Sequence, residues 1–216
     1  MRRYRQDFAP LTLVAKVPLV IVTHPSVPAK TVKEFVTLAK TNPGKLTYGS
    51  AGNGSSNHLI GEMFKAAASV RIVHIPYKGG APAMVALMSG ELDMMVGQIP
   101  SVRAQVKAGR VRALAISGAK RSVAMPDVPT LIESGLPGFD ATSWYAIVAP
   151  AGTPKPIVDR LHGELVKAIN SKEVRGRLGE EGADIETTTP EQLAAFIRVE
   201  IEKWARAVKI SGARLD

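Results

Sequence analysis

Apolar positions along residues 19–117 switch repeatedly between two spacings. Residues 19–23 (LVIVT) form a continuous β-branched run of strand length, whereas residues 31–40 place Val32, Phe35, Val36 and Ala39 at helical spacing. Thr31 and Glu34 make a capping-box pair at the start of that helix, and Asn42-Pro43-Gly44 ends it with turn chemistry. The alternation then continues. Residues 46–48 predict a strand, and residues 57–68 a helix that buries Ile60, Met63, Phe64 and Ala67. Residues 71–76 predict a strand, and residues 80–88 a helix with Pro82 tolerated in its first turn. Strand, helix and strand follow at 92–96, 100–108 and 111–117. Strands separated by helices predict a parallel sheet with right-handed crossovers and a ligand cleft beyond the carboxyl ends of the strands.

After Ser117 the pattern changes. Residues 120–129 are a polar, proline-punctuated connection, and Pro137-Gly138 breaks the chain again. Residues 143–149 (SWYAIVA) read as a strand whose alternation sends one of Trp144 and Tyr145 to the core and the other to a face. A helix from Thr153-Pro154 to about residue 170 gathers Ile157, Val158, Leu161, Leu165 and Ile169 on one side. A short helix is expected at 171–180, an edge strand at 185–188, and a closing helix to about residue 210 after the Thr189-Pro190-Glu191-Gln192 cap. The expected organisation is a complete α/β lobe at 22–118 and a second lobe from the flanks, 1–21 and 119–216, short of strands for its helices.

Composition narrows the class. Of 216 residues, 45% are hydrophobic and 22% charged, ordinary for a globular protein, and no cysteine is available for disulfides or thiolate metal sites. The apolar runs are shorter than the roughly 20 residues that span a bilayer, and the first residues lack the layout of a secretion signal. The net charge of +9 sits mainly in residues 25–118, with 11 Lys and Arg against 4 Asp and Glu. That surplus suits an anionic ligand. The lysines are scattered singly along helices without interleaved aromatics, so no nucleic-acid partner is implied.

The chemistry concentrates in residues 46–64, LTYGSAGNGSSNHLIGEMF. Gly49, Gly52 and Gly54 permit a tight turn, and Ser50, Asn53, Ser55, Ser56 and Asn57 carry uncharged hydrogen-bonding groups. The helix that follows offers unpaired N–H groups and the positive end of its dipole, a ready site for a carboxylate. His58 either donates to an anion or packs against the cap; as the base of a hydrolase it would need a nucleophile and an orienting acid, for which Asp93 is one candidate, and no G-x-S-x-G elbow is present. The glycine order is not G-x-G-x-x-G, His74 stands near where a ribose-binding acid belongs, and no Gly-Lys-Ser/Thr follows. At a second strand-to-helix junction, Tyr77-Lys78-Gly79-Gly80 supplies a cation and bare amides to line a cleft. Met84, Met88, Met94 and Met95 read as core filler, and the four histidines show no metal-ligand spacing. No metal or cofactor is implied, and binding is favoured over catalysis.

Residues 7–35, 42–64 and 73–95, together with 107–139 (KAGRVRALAISGAKRSVAMPDVPTLIESGLPGF) and 142–161 (TSWYAIVAPAGTPKPIVDRL), resemble the solute-binding receptors of tripartite tricarboxylate transporters, also called Bug-type binding proteins. The resemblance runs in family order over essentially the whole chain. It implies a type II periplasmic-binding-protein fold, two α/β lobes with parallel-rich sheets around a cleft. It further implies a periplasmic receptor for a small carboxylate (a di- or tricarboxylate, an acidic amino acid or a related acid) that passes it to a membrane permease. In such receptors one carboxylate is held by a loop from each lobe, with ordered waters. The loop found here is Ser50, Ala51, Gly52, Asn53, Gly54, Ser55, Ser56, Asn57 and His58, with Tyr77, Lys78, Gly79 and Gln98 as further ligand-facing residues.

Two departures qualify the resemblance. Family members carry a further amino-terminal segment before the equivalent of Arg5-Gln6-Asp7-Phe8, including the first lobe's opening βαβ units and its loop, so the chain reads as a truncated member with an incomplete first lobe. Helices 154–170 and 190–210 would then keep uncovered apolar faces that drive self-association, and a truncated, non-binding interaction module is the alternative function. Gly97-Gln98 stands where the family often has Asp-Asn, leaving Gln98 to replace a polar contact.

Overall fold

The computed structural model describes residues 7–212, so Met1 to Gln6 and the final four residues, including the Arg5-Gln6 part of the expected first-lobe remnant, lie outside it. Its elements run β1 (Phe8–Thr23), α1 (Val32–Thr41), β2 (Thr47–Ser50), α2 (Ser56–Ala68), β3 (Val73–Pro76), α3 (Gly80–Ser89), β4 (Met94–Gln98), α4 (Ile99–Lys107), β5 (Arg112–Ile116), β6 (Thr142–Pro150), α5 (Lys155–Ile169), α6 (Lys172–Glu180), β7 (Asp184–Ile185) and α7 (Pro190–Ser211). They divide into two compact units, Met1–Val17 with Ser143–Ala205, and Pro18–Thr142 with Arg206–Asp216.

In the larger unit the strand order is β3-β2-β4-β1-β5. β2 is parallel to β3 and β4, but β1 runs antiparallel to β4 (Val20 opposite Gly97) and to β5 (Val20 opposite Ile116). The parallel pairing expected from the strand–helix alternation holds for β2 with β3 and β4, and β1 makes the sheet a mixed one. Leu19, Val20, Ile21 and Val22 are fully buried. An apolar run of that kind reports burial on both faces and carries no information on direction. The core packs Val20, Val22 and Met95 of the sheet against Leu87 of α3 and Ile99 and Val102 of α4. On α1 and α2, Phe35 and Phe64 meet with ring centroids 6.3 Å apart.

The helix caps match their sequence signals. Thr31 Oγ1 accepts from the Glu34 N–H at 3.2 Å, and the Glu34 carboxylate accepts from the Lys30 N–H at 2.6 Å. The buried face of α2 is wider than the expected stripe and shifted from it: Ile60, Phe64 and Ala68 are buried, Met63 is half-buried and Ala67 is exposed, while Asn57 and Gly61 are buried as well. The extent of this unit also differs from expectation. Residues 119–142 group with it, tied back by Ser117 Oγ donating to the Ala141 carbonyl (2.6 Å) and Leu131 N–H to the Ile116 carbonyl (3.0 Å), and braced internally by the Arg121–Glu133 ion pair.

In the other unit β6 and β7 pair with β1, where Ala15 lies opposite Ile185. Thr12 and Thr188 extend this join reciprocally: Thr188 N–H donates to Thr12 Oγ1 and Leu13 N–H to Thr188 Oγ1, each at 3.1 Å. The core is Leu13, Leu193 and Ile197, with Trp144 edge-on to Phe196 at 5.4 Å. Trp144 takes the core side and Tyr145 the exposed one. On α5 the predicted apolar stripe is largely uncovered: Ile157 and Leu161 are 49% and 41% exposed, and Ile169 alone of its five residues is buried. No helix among the described residues is long and apolar enough to cross a membrane.

Candidate functional site

The turn between β2 and α2 is built by its own side chains. Gly52 takes a φ of +124°, a backbone state that L side chains rarely adopt, and its N–H donates to Ser50 Oγ at 3.1 Å. Ser55 is the N-cap of α2: its hydroxyl accepts from the His58 N–H at 3.3 Å and donates to the Gly52 carbonyl at 2.7 Å. The Gly54 N–H donates to His58 Nδ1 at 3.1 Å, which leaves that nitrogen unprotonated and puts the imidazole proton on Nε2. The Asn57 carboxamide donates to the Val96 carbonyl of β4 at 2.6 Å, and the Tyr77 N–H donates to the Ser50 carbonyl at 3.1 Å.

Several residues expected to face a ligand are thus framework. Ser50 is fully buried with its hydroxyl 2.7 Å from His74 Nε2, Asn57 is committed to β4, and His58 is buried beneath the turn. Serine and asparagine satisfy nearby backbone groups as readily as a ligand, and the closest partners win. The groups for which the described residues show no hydrogen-bond partner are the side chain of the exposed Asn53, the hydroxyl of the half-buried Ser56 and the N–H groups of Ser56 and the buried Asn57. They occupy the first two helical positions, where the backbone lacks an internal acceptor and the dipole favours negative charge.

Beneath the turn lies a polar stack absent from the expectations. The His58 and His74 rings lie 3.9 Å apart and 5° from parallel, and Tyr48 covers the other side of His74 at 4.8 Å. Glu62 accepts from the Tyr48 hydroxyl at 2.6 Å and from Lys65 at 2.7 Å. Burial, reinforced by the Glu62 hydrogen bond, pushes the Tyr48 phenol far above its usual range. Burial pulls His58 down, and burial followed by the neighbouring His58 pulls His74 down to about 4. The pair is neutral at pH 7. The hydrolase alternative also loses its base, because both ring nitrogens of His58 face the protein: Nδ1 the Gly54 amide, Nε2 Glu62 at 4.0 Å.

Beside the turn is a cavity of about 560 Å³. Three helix starts border it: Asn57 of α2, Gly80 and Ala81 of α3, and Pro100 and Ser101 of α4. Ala51 and Gln98 complete this rim, while Tyr77, Lys78 and Gly79 fall outside the cavity lining, with Lys78 solvent-exposed. Below the rim, Met84, Val85, Met88 and Met95 form the wall, with Gln105 on the α4 side. Three of the four methionines read as core filler therefore also line a cavity, Met84 and Met88 from α3 and Met95 from β4; apolar spacing does not distinguish a filled core from a hollow one. Gly97 has no room for a polar replacement, since a Cβ there would lie 2.4 Å from Val102 Cγ2. Among the described residues no group of His, Asp and Glu is arranged to hold a metal.

This arrangement of three helix starts above a cavity, at the carboxyl ends of parallel strands, is that of a small-molecule receptor. Residues 3–212 match the family described as the tripartite tricarboxylate transporter family receptor. The chain is 36% identical over 210 residues to BugT of Bordetella pertussis, covering 97% of this chain and 64% of that protein. Rpa4515 of R. palustris, solved with adipate, superposes with a TM-score of 0.83 at 32% identity, over 96% of this chain and 69% of the other. MatC of Rhodopseudomonas palustris, with bound malate, gives 0.78 at 32%, over 93% and 69%. The chain spans less than two thirds of the length of curated relatives it matches, 61% in one case and 64% in BugT. The chain belongs to the tripartite tricarboxylate transporter receptor family.

Proposed function

We propose that this chain binds a small carboxylate at the start of α2 and presents it, in the periplasm, to the permease of a tripartite transporter. The observation that carries this reading is the pair of N–H groups at Ser56 and Asn57 without a hydrogen-bond partner among the described residues, at a helix start whose Asn57 borders a cavity shared with two further helix starts. The Ser56 hydroxyl and the Asn53 carboxamide add neutral donors. Each such bond contributes about 0.5–1.5 kcal/mol net, a strength that lets a receptor release its cargo. Lys78 adds positive potential from the adjoining junction and raises the local concentration of anions. The adipate and malate held by the two related structures support the ligand class, and the family supports the transporter and the compartment.

Calorimetry of the 216-residue chain with malate, adipate, aspartate and citrate tests the reading. Binding of at least one acid, weakened several-fold in the Asn53→Ala, Ser56→Ala double variant, is the expected result. Equal affinity in the double variant, or no binding of any acid, would sink it.

Self-association is a second reading, favoured by the uncovered Ile157 and Leu161 of α5. Light scattering should show a concentration-dependent mass that Ile157→Lys with Leu161→Lys reduces to that of a monomer. A constant monomer mass for the parent chain refutes it.

A further inference from the structure

We propose that the acid this receptor takes is amphiphilic: one anionic head at the start of α2, continued by an aliphatic or aromatic body lying in the cavity between α3 and α4. The inference rests on the carboxylate reading of that turn and names the kind of carboxylate.

The cavity wall is the first ground. Among the described residues no Asp, Glu, Lys, Arg or His lines it; its polar groups are the neutral side chains of Asn57, Gln98, Ser101 and Gln105. The Asn57 carboxamide is already spent on Val96, and the Ser101 hydroxyl donates to the Gln98 carbonyl at 2.9 Å. A second carboxylate entering this space would lose its hydration with no cation to meet it, a cost that an apolar body does not incur.

Size and shape are the second ground. About 560 Å³ is the volume of a whole-ligand pocket, far more than one carboxylate group occupies. The wall follows α3 from Gly80 to Met88, about 12 Å at 1.5 Å per residue. The surface presented along it is Met84, Val85 and Met88. Val85 is 61% exposed, an apolar side chain on a wall with no covering partner among the described residues. Methionine side chains adapt to the outline of what they pack against, so the wall accepts a straight or a ring-shaped body.

The third ground is at the far end. The Gln105 side-chain oxygen is buried and has no hydrogen-bond partner among the described residues. Buried polar atoms are normally paired. A neutral donor at the distal end of the ligand, a hydroxyl or an amide, is the partner that this atom lacks.

Calorimetry of the 216-residue chain with straight-chain monocarboxylates from butyrate to decanoate, alongside malate and citrate, decides the matter. The dissociation constant is expected to fall roughly fourfold per added methylene until the cavity is full. In Ala104→Phe, which puts a ring into the cavity from the exposed side of α4, that dependence on length should flatten. Val85→Glu, a change at an exposed position, should flatten it as well and serves if Ala104→Phe does not fold. Affinity independent of length in the parent chain, or tighter binding of malate and citrate than of any longer monocarboxylate, overturns this inference while leaving the carboxylate site standing. Failure of every acid to bind removes both.

Discussion

His58 and His74, sixteen positions apart in the chain, lie face to face with ring centroids 3.9 Å apart beneath the turn that carries the amides of Ser56 and Asn57. Each ring holds one end of that turn. His58 Nδ1 accepts from Gly54, and His74 Nε2 meets the Ser50 hydroxyl. The turn is thus shaped from beneath by a pair of neutral imidazoles.

That pairing makes the turn sensitive to acid. Both histidines have a folded pKa below the ordinary 6.5, His74 as low as about 4. The unfolded chain therefore takes up protons first, and stability is lost as pH falls from about 6.5 towards 4. The groups facing the stack act in both directions, Glu62 favouring protonation and Lys65 opposing it. Thermal melts should show the midpoint dropping by several degrees between pH 7 and pH 5, and His74→Gln should make the curve flatter across that range. An equally steep curve in His74→Gln would contradict the assignment.

The two adjacent serines of the turn should separate stability from binding. Ser55 caps α2, so Ser55→Ala should cost about 1 kcal/mol. That corresponds to a midpoint lower by roughly 2–4 °C. Ser56 makes no cap bond among the described residues, so Ser56→Ala should leave the melt within a degree or so and weaken carboxylate binding several-fold. A reversal of the two effects would show that the hydroxyls have been assigned the wrong way round.

Asn57 is a strut between α2 and β4. In Asn57→Ala the buried Val96 carbonyl loses its 2.6 Å donor, a loss of about 1–3 kcal/mol. Asn57→Asp should be worse, because a carboxylate then faces a carbonyl oxygen. Chemical denaturation compares the three chains, and an Asp variant as stable as the parent would refute the strut.

Gly97 is a packing glycine. An added methyl would lie 2.4 Å from Val102 Cγ2, so Gly97→Ala should lose about 1–3 kcal/mol through overpacking. Gly97→Ala combined with Val102→Ala should lose less than the sum of the single changes, because the shortened residue 102 vacates the contested space. Additive losses would point to a cause other than that contact.

Much of this was legible in the chain. The order of strands and helices, the Thr31 cap, the tight turn before α2 and the family resemblance all rest on spacings of a few residues, which local sterics and burial dictate, whereas Ser55, expected to face a ligand, caps α2. Which donors are spent on the framework was not legible: Ser50, Asn57 and His58 read as ligand groups until β3 and β4 supplied His74 and the Val96 carbonyl as their neighbours. The apolar face of α5 is the opposite case, a clear period in the sequence of which Ile169 is buried while Ile157 and Leu161 stay exposed.

By itself, then, the sequence determined a series of local decisions: where the chain extends, where it coils, and where it turns on small residues. The tertiary structure decided the direction of β1, the hollow beside the methionines of α3 and the stacking of two distant histidines. The physical reason is register. Tyr48 stands opposite His74 because β2 and β3 pair in one particular alignment, and that alignment is set by the packing of the whole sheet rather than by the residues on either side of each histidine.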